Sequence, residues 1–325
     1  GGSVFCRSTM LLAFCLSLPF LNGAEPPYWG TIFVSSEIVT ASDPSCFESI
    51  EERGTGMRTM YDRRIPGWTR QQAFLFHAAY DDGLSLEVQV NPEFEATSHQ
   101  EALKYARIIG QLPTSLRKDV DTVWIHRGVM PFGGGNRNLL IHTGQAAEYV
   151  SSGILEETLI HEASHTSLDE AHAQSQEWIQ AQQEDDTYIS HYAMDYPMRE
   201  DVAESFLLFL AAEHLADRMD SRTLRTIEAT IPHRMAYFRS LDLDLYPLVS
   251  SSPRNIRLSQ YHFDRAHATW LLEWKSQPGQ EYRIETSSDL IHWSAMDPSI
   301  MASESSTQWT GSFLNHEVLF LRVRQ

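Results

Sequence analysis

Ile160-His161-Glu162-Ala163-Ser164-His165 is the stretch on which the reading of this chain turns. On a helix, positions i and i+4 leave from one face, so the two imidazoles can reach a single ion. Glu162, one residue on, is placed to meet a water held by that ion rather than the ion itself. Zn²⁺ brings the pKa of such a water from 15.7 to about 7, where a neighbouring carboxylate can act as its base. The spacing is what that chemistry needs. With 14 histidines among 325 residues, chance alone yields the pattern in roughly one such chain in twenty, so its surroundings must decide.

The surroundings agree with a helix. Residues 154–169 carry apolar positions at helical spacing, and two strand candidates precede them, Thr122–His126 and Leu139–Thr143. Between these strands lies Gly133-Gly-Gly-Asn136, with no Gly-Lys-Ser/Thr to cradle phosphate, which reads as a hairpin or an edge-strand connection. A catalytic zinc takes three protein ligands and keeps one position open. His172 is a poor third ligand. It lies 11 residues after His161 where the metzincin pattern needs 10, Leu168 stands where that pattern has glycine, and a one-residue slip turns a ligand about 100° away.

A carboxylate fits better. Tyr192-Ala-Met-Asp-Tyr-Pro-Met-Arg-Glu200-Asp201-Val-Ala-Glu204-Ser-Phe206 opens a second helical stretch, 199–219, with Glu200 and Glu204 on one face. Two carboxylates on an apolar helix are costly to bury unless something positive meets them, and a metal with its histidines would do so. The plainer account, solvated acids favoured by the helix dipole, suits Glu200 and Asp201 but suits Glu204 less, since Phe206 and Leu207 adjoin it. A third helical stretch covers 221–241.

These two motifs together resemble the gluzincin zinc metallopeptidases, in particular the lethal-factor-like and Pro-Pro-endopeptidase-like branch. The resemblance covers about 50 residues of segment 154–206. It implies Glu200 as third zinc ligand beside His161 and His165, and Glu162 as general base. It further implies Tyr192 as support for the tetrahedral intermediate, Glu204 behind a zinc-bound histidine, and Asp169 as an acid that commonly follows the first motif. The implied fold is α+β: a zincin-like metallopeptidase domain followed by a small all-β sandwich. The implied cofactor is Zn²⁺ and the implied substrate a peptide or protein.

The rest of the chain bounds this reading. Acidic residues number 43 against 25 basic, a formal charge of −18, and lysine stands only at 104, 118 and 275. A field of that sign repels phosphate backbones, which argues against nucleic acid as partner. Arg7 followed by the apolar run Leu11–Leu21 and Asn22-Gly23-Ala24 has the three parts of a secretory signal, and a run of 11 is too short to span a bilayer. Residues 1–24 are therefore expected to be a signal peptide on a secreted, periplasmic or extracellular protein, leaving Cys46 as the one cysteine, a buried thiol. Residues 25–250 are expected to form the catalytic domain, and oligomeric state is not legible. From 251 to 325, short aromatic and β-branched runs separated by Pro278-Gly279 and Ser287-Ser-Asp289 predict a β-sandwich with its aromatics in the core. His126 and His142, in the strands, read as satisfied core histidines. Two alternatives stand beside the peptidase: a non-catalytic extracellular binding protein with a structural zinc site, and a zinc amidase or esterase.

Overall fold

Apolar alternation in the first half of the chain builds one six-stranded sheet. A computed structural model describes residues 23–249, 256, 258–276, 278–290, 292–296, 298–312 and 320–324. The expected signal segment thus lies outside the described residues, except for Gly23 and Ala24. A long hairpin comes first, β1 (Phe47–Asp62) and β2 (Gly67–Tyr80), then β3 (Ser85–Val90). Helix α1 (Ser98–Ile109) buries Ala102, Tyr105, Ala106 and Ile109, the face its periodicity predicts. The one-turn α2 (Thr114–Arg117) leads to β4 (Thr122–His126), β5 (Gly133–Gly135) and β6 (Asn138–His142).

The strand order is β1-β2-β3-β4-β6-β5. β3, β4 and β6 run parallel, and the outer strands β1, β2 and β5 pair antiparallel with their neighbours. The parallel strands β4 and β6 are the most apolar, Val123, Ile125, Leu139 and Ile141 being fully buried, as strands covered on both faces must be. The glycine-rich loop is therefore an edge strand. The hairpin tip packs at the carboxyl end of β4, where His126 Nε2 donates to the Tyr61 carbonyl at 2.9 Å.

Helices cover the sheet. α3 (Thr143–Ser152) ends at Gly153 with φ 68°, the left-handed stop that glycine adopts without strain. α4 (Leu155–His172) carries the first motif, and α5 (Gln176–Glu184) and the short α6 (His191–Asp195) follow. α7 (Asp201–His214) is buried on almost every side, as its run of Val202, Phe206, Leu207 and Leu210 demands. The third helical stretch is two helices, α8 (Ser221–Thr230) and α9 (Pro232–Ser240). Pro232 has no N–H to continue α8, and Ile231 before it takes a non-helical φ of −129°. Cys46 is buried.

The described C-terminal residues form two antiparallel sheets. β7 (Leu258–Asp264), β8 (Thr269–Lys275) and β12 (Ser306–Ser312) make the first; β9 (Glu281–Ser287), β10 (Ser294–Ala295), β11 (Ile300–Met301) and β13 (Phe320–Arg324) make the second. Every second residue of β8 and β9 points inward, so Leu272 and Trp274 meet Tyr282, Ile284 and Val323 in a core separate from the main one. The fold is α+β, a mixed α/β unit followed by small antiparallel sheets. No helix among the described residues is long and apolar enough to cross a membrane.

Candidate metal centre

α4 is held against the sheet edge through its own backbone. A β-carbon built on Gly134 would lie 1.9 Å from the Glu162 carbonyl oxygen, so only glycine permits this approach. Thr166 completes the junction, accepting from the Gly135 N–H at 2.8 Å and donating to the Asn138 carbonyl at 2.9 Å. α7 is fixed from the other side. Arg234, fully buried on α9, donates to Asp201 and to Asp185 at 2.9 Å each, and Gln182 of α5 also donates to Asp201 at 2.8 Å. Asp201 neighbours Glu200, so this buried network sets where Glu200 points.

His161, His165 and Glu200 thereby meet. His165 Nε2 stands 3.2 Å from His161 Nε2 and 3.1 Å from Glu200 Oε2, and His161 Nε2 is 3.5 Å from the same oxygen. A tetrahedral ion with bonds of about 2.0–2.1 Å holds its ligand atoms about 3.3 Å apart, the size of this triangle. The three residues form a group that could hold a metal ion. The tautomers fit as well. His165 Nδ1 donates to Asp169 Oδ2 at 2.7 Å, leaving Nε2 as a lone pair. His161 Nδ1 is buried without a hydrogen-bond partner, but it faces Glu204 Oε2 at 3.7 Å, which again turns the Nε2 lone pair inward. Two inward lone pairs and a carboxylate repel one another unless a cation or protons sit among them.

Electrostatics repeat the point. Burial works against charging His165, yet its bonds to Asp169 and Glu200 outweigh burial and hold its pKa up to about 10. His161 is raised in the same way, chiefly by Glu200 against desolvation. Burial would raise Glu200, but the two imidazoles hold its carboxyl well below the usual range. The same fields that favour protons on the two imidazoles would favour a cation between them.

Each carboxylate has its own support. Glu204 accepts from the Thr31 N–H at 3.1 Å, from the Thr31 hydroxyl, and from the Ser190 hydroxyl at 2.9 Å. Glu200 Oε1 accepts from the Tyr192 hydroxyl at 2.9 Å and from Arg199 Nε at 3.0 Å. Tyr192 therefore reaches the site, with its hydroxyl directed to Glu200. Glu162 lines the same cleft of about 640 Å³. One wall is residues 30–33 and another is β5, and Arg63 and Tyr149 border the space. Burial first, then the charge of Glu162, pushes the Tyr149 phenol up.

Sequence patterns do not mark Thr31, Ser190, Arg199, Arg63 or Tyr149: Thr31 acts across a long chain separation, Ser190, Arg199 and Arg63 act from irregular segments, and Tyr149 on α3 belongs to no motif. The remaining histidines lie elsewhere. His172 Nδ1 bonds the Tyr237 hydroxyl at 2.6 Å, and His191 stacks on Trp29 at 4.2 Å. His126 is buried between the Asn91 amide and the Tyr61 carbonyl, and desolvation pushes its pKa down to about 4.

No family model and no curated protein matches the chain. Among solved structures, the crystal structure of Legionella pneumophila aminopeptidase A in complex with aspartic acid matches at 9% identity with a TM-score of 0.21. The match covers 79% of this chain and 36% of that one, so this chain spans about a third of its length. A likeness at that level assigns neither fold nor activity, and the metal-holding group stands on its own geometry.

Proposed function

We propose that the chain is a secreted zinc-dependent peptidase of gluzincin type, with His161, His165 and Glu200 as the zinc ligands. The observation that carries this reading is the triangle of donor atoms sized for a tetrahedral ion, with Glu162 beside it in an open cleft. When bound, Zn²⁺ supplies Lewis-acid chemistry that polarises a carbonyl and makes water a nucleophile near neutral pH. Glu162 takes a proton on its carboxylate and returns it to the leaving amine. Tyr192 is free to donate its hydroxyl to the substrate oxyanion, because Arg199 still holds Glu200 Oε1 when the phenol leaves. Asp169 and Glu204 hold the imidazoles with Nε2 turned inward.

A peptide is favoured as substrate because β5 is the terminal strand of its sheet and its residues line the cleft. An extended chain can be taken up there as an added strand, its backbone bonded along Gly133 and Gly134, since Thr166 already holds the Gly135 N–H, and its carbonyl brought to the site. Glu162→Gln should keep zinc and lose turnover, whereas His165→Ala should lose both. Cleavage of a mixed peptide library, with a chelator control and elemental analysis, tests this. Full turnover in Glu162→Gln removes the mechanism, and bound zinc without any cleavage supports a non-catalytic binding protein instead.

A further inference from the structure

Asp62, Arg63 and Arg64 form the tip of the β1–β2 hairpin, and the two arginines meet different surroundings. Arg64 is tied down: its backbone N–H and guanidinium bond Asp62 at 2.9 and 2.7 Å, and the guanidinium also bonds Glu93 at 2.9 Å. Asp62 is itself buried, so the tip is fixed. Arg63 faces the cleft instead. One amine of its guanidinium donates to the Phe132 carbonyl at 3.2 Å, and its Nε is buried with no hydrogen-bond partner among the described residues. No carboxylate pairs with it among the described residues, although Arg58, Arg64, Arg117, Arg218 and Arg234 all have one. In a chain with 43 acidic and 25 basic residues, a cleft-lining guanidinium without an acid is a site kept for an external one.

Its position along β5 says what that acid belongs to. A β-carbon on Gly133 would lie 3.1 Å from the Arg63 guanidinium, whereas one on Gly134 would meet the Glu162 backbone. Adjacent strand residues face opposite ways, so α4 covers one face of β5 and Arg63 the other. A peptide added along β5 alternates in the same manner: residues facing α4 approach the metal group, and their neighbours face the hairpin tip. We propose that Arg63 is a carboxylate-binding residue that selects peptides with an acidic side chain, or a free α-carboxylate, within about two residues of the cleaved bond. This rests on the peptidase reading above. The guanidinium fork matches a carboxylate through two parallel hydrogen bonds, and partial burial strengthens them.

The test is binding, kept apart from turnover. Labelled hexapeptide amides with one Glu walked through the positions, their Gln twins, and the free-acid form of the Gln peptide are titrated by fluorescence anisotropy. The receptor is the zinc-loaded Glu162→Gln chain, alone and with Arg63→Gln or Arg63→Lys added. At one position the Glu peptide should bind about tenfold tighter than its twin; Arg63→Gln should abolish that ratio, and Arg63→Lys, which keeps the charge but not the fork, should retain only part of it. Preference for the free acid alone would locate the carboxylate at the chain end. Unchanged zinc content in the Arg63 variants shows an intact fold. A receptor with no carboxylate preference, or a preference that survives Arg63→Gln, overturns the proposal. Cleavage of the same peptides by the chain with native Glu162 is read separately. Its absence removes the peptidase reading while leaving an Arg63-dependent ratio standing, and cleavage without such a ratio removes only the role of Arg63.

Discussion

His165 carries the sharpest contrast between metal-free and metal-loaded states. With its pKa held at about 10 by Asp169 and Glu200, it is protonated at neutral pH, and a ligand imidazole must be neutral. Zinc binding at pH 7 should therefore expel at least one proton, and affinity should rise about tenfold per pH unit in that range. Calorimetry in buffers of different ionisation enthalpy reads the proton count directly; a count of zero contradicts the assignment. Asp169 makes a second residue-level prediction. Its one bond in the site is to His165 Nδ1, so Asp169→Asn should weaken zinc by about 10–100-fold and leave the fold unchanged. Competition against a chromophoric chelator measures this. The histidine pair was legible because i, i+4 spacing is local geometry, whereas Glu200, 35 residues on, was singled out as third ligand by the resemblance. Thr31 was not, because it reaches Glu204 across 173 residues, and no pattern within one element records such a contact.

At the scale of elements, the contact between β5 and α4 decides whether the first motif faces the cleft. Gly134→Ala drives a methyl group into the Glu162 carbonyl, so the strand and helix must separate. The expected loss is about 1–3 kcal/mol, a fall in Tm of several degrees, with zinc affinity falling alongside. An alanine variant with unchanged melting would show that the junction is loose. Elements with one buried face were readable from the chain: α1, β4, β6, α4 and α7 all follow their apolar period. The β1–β2 hairpin was not, because β1 is a sheet edge with most of Glu48–Thr59 exposed, and its alternation carries little apolar signal. α6, five residues long, is too short to show a period. α8 and α9 read as one helix because their shared spacing hides the break that Pro232 imposes.

Over the whole molecule, burial of His126 links stability to acid. Desolvation first, opposed by Asp62, leaves its pKa at about 4 against 6.5 in the unfolded chain. The unfolded state thus binds the proton more readily between those values. The contribution is fully present above pH 6.5 and is lost as pH falls from 6.5 toward 4, at most about 3 kcal/mol. His126→Gln should flatten the pH dependence of denaturant midpoints across that window, even if it lowers stability overall; an unchanged slope would show that the buried imidazole is not its source. Chain-wide charge, by contrast, spoke only about partners, and the acidic surplus gave no hint that one guanidinium would remain in the cleft.

The wall formed by residues 30–33 has a consequence for how the molecule comes together. Thr31 meets Glu204 across 173 residues, so the backing of His161 depends on a segment remote in the chain from α4, α6 and α7. Closing so long a loop carries an entropic cost. Clipping the strap that carries Thr31 should therefore slacken the hold on Glu204 and His161 while leaving the three helices in place.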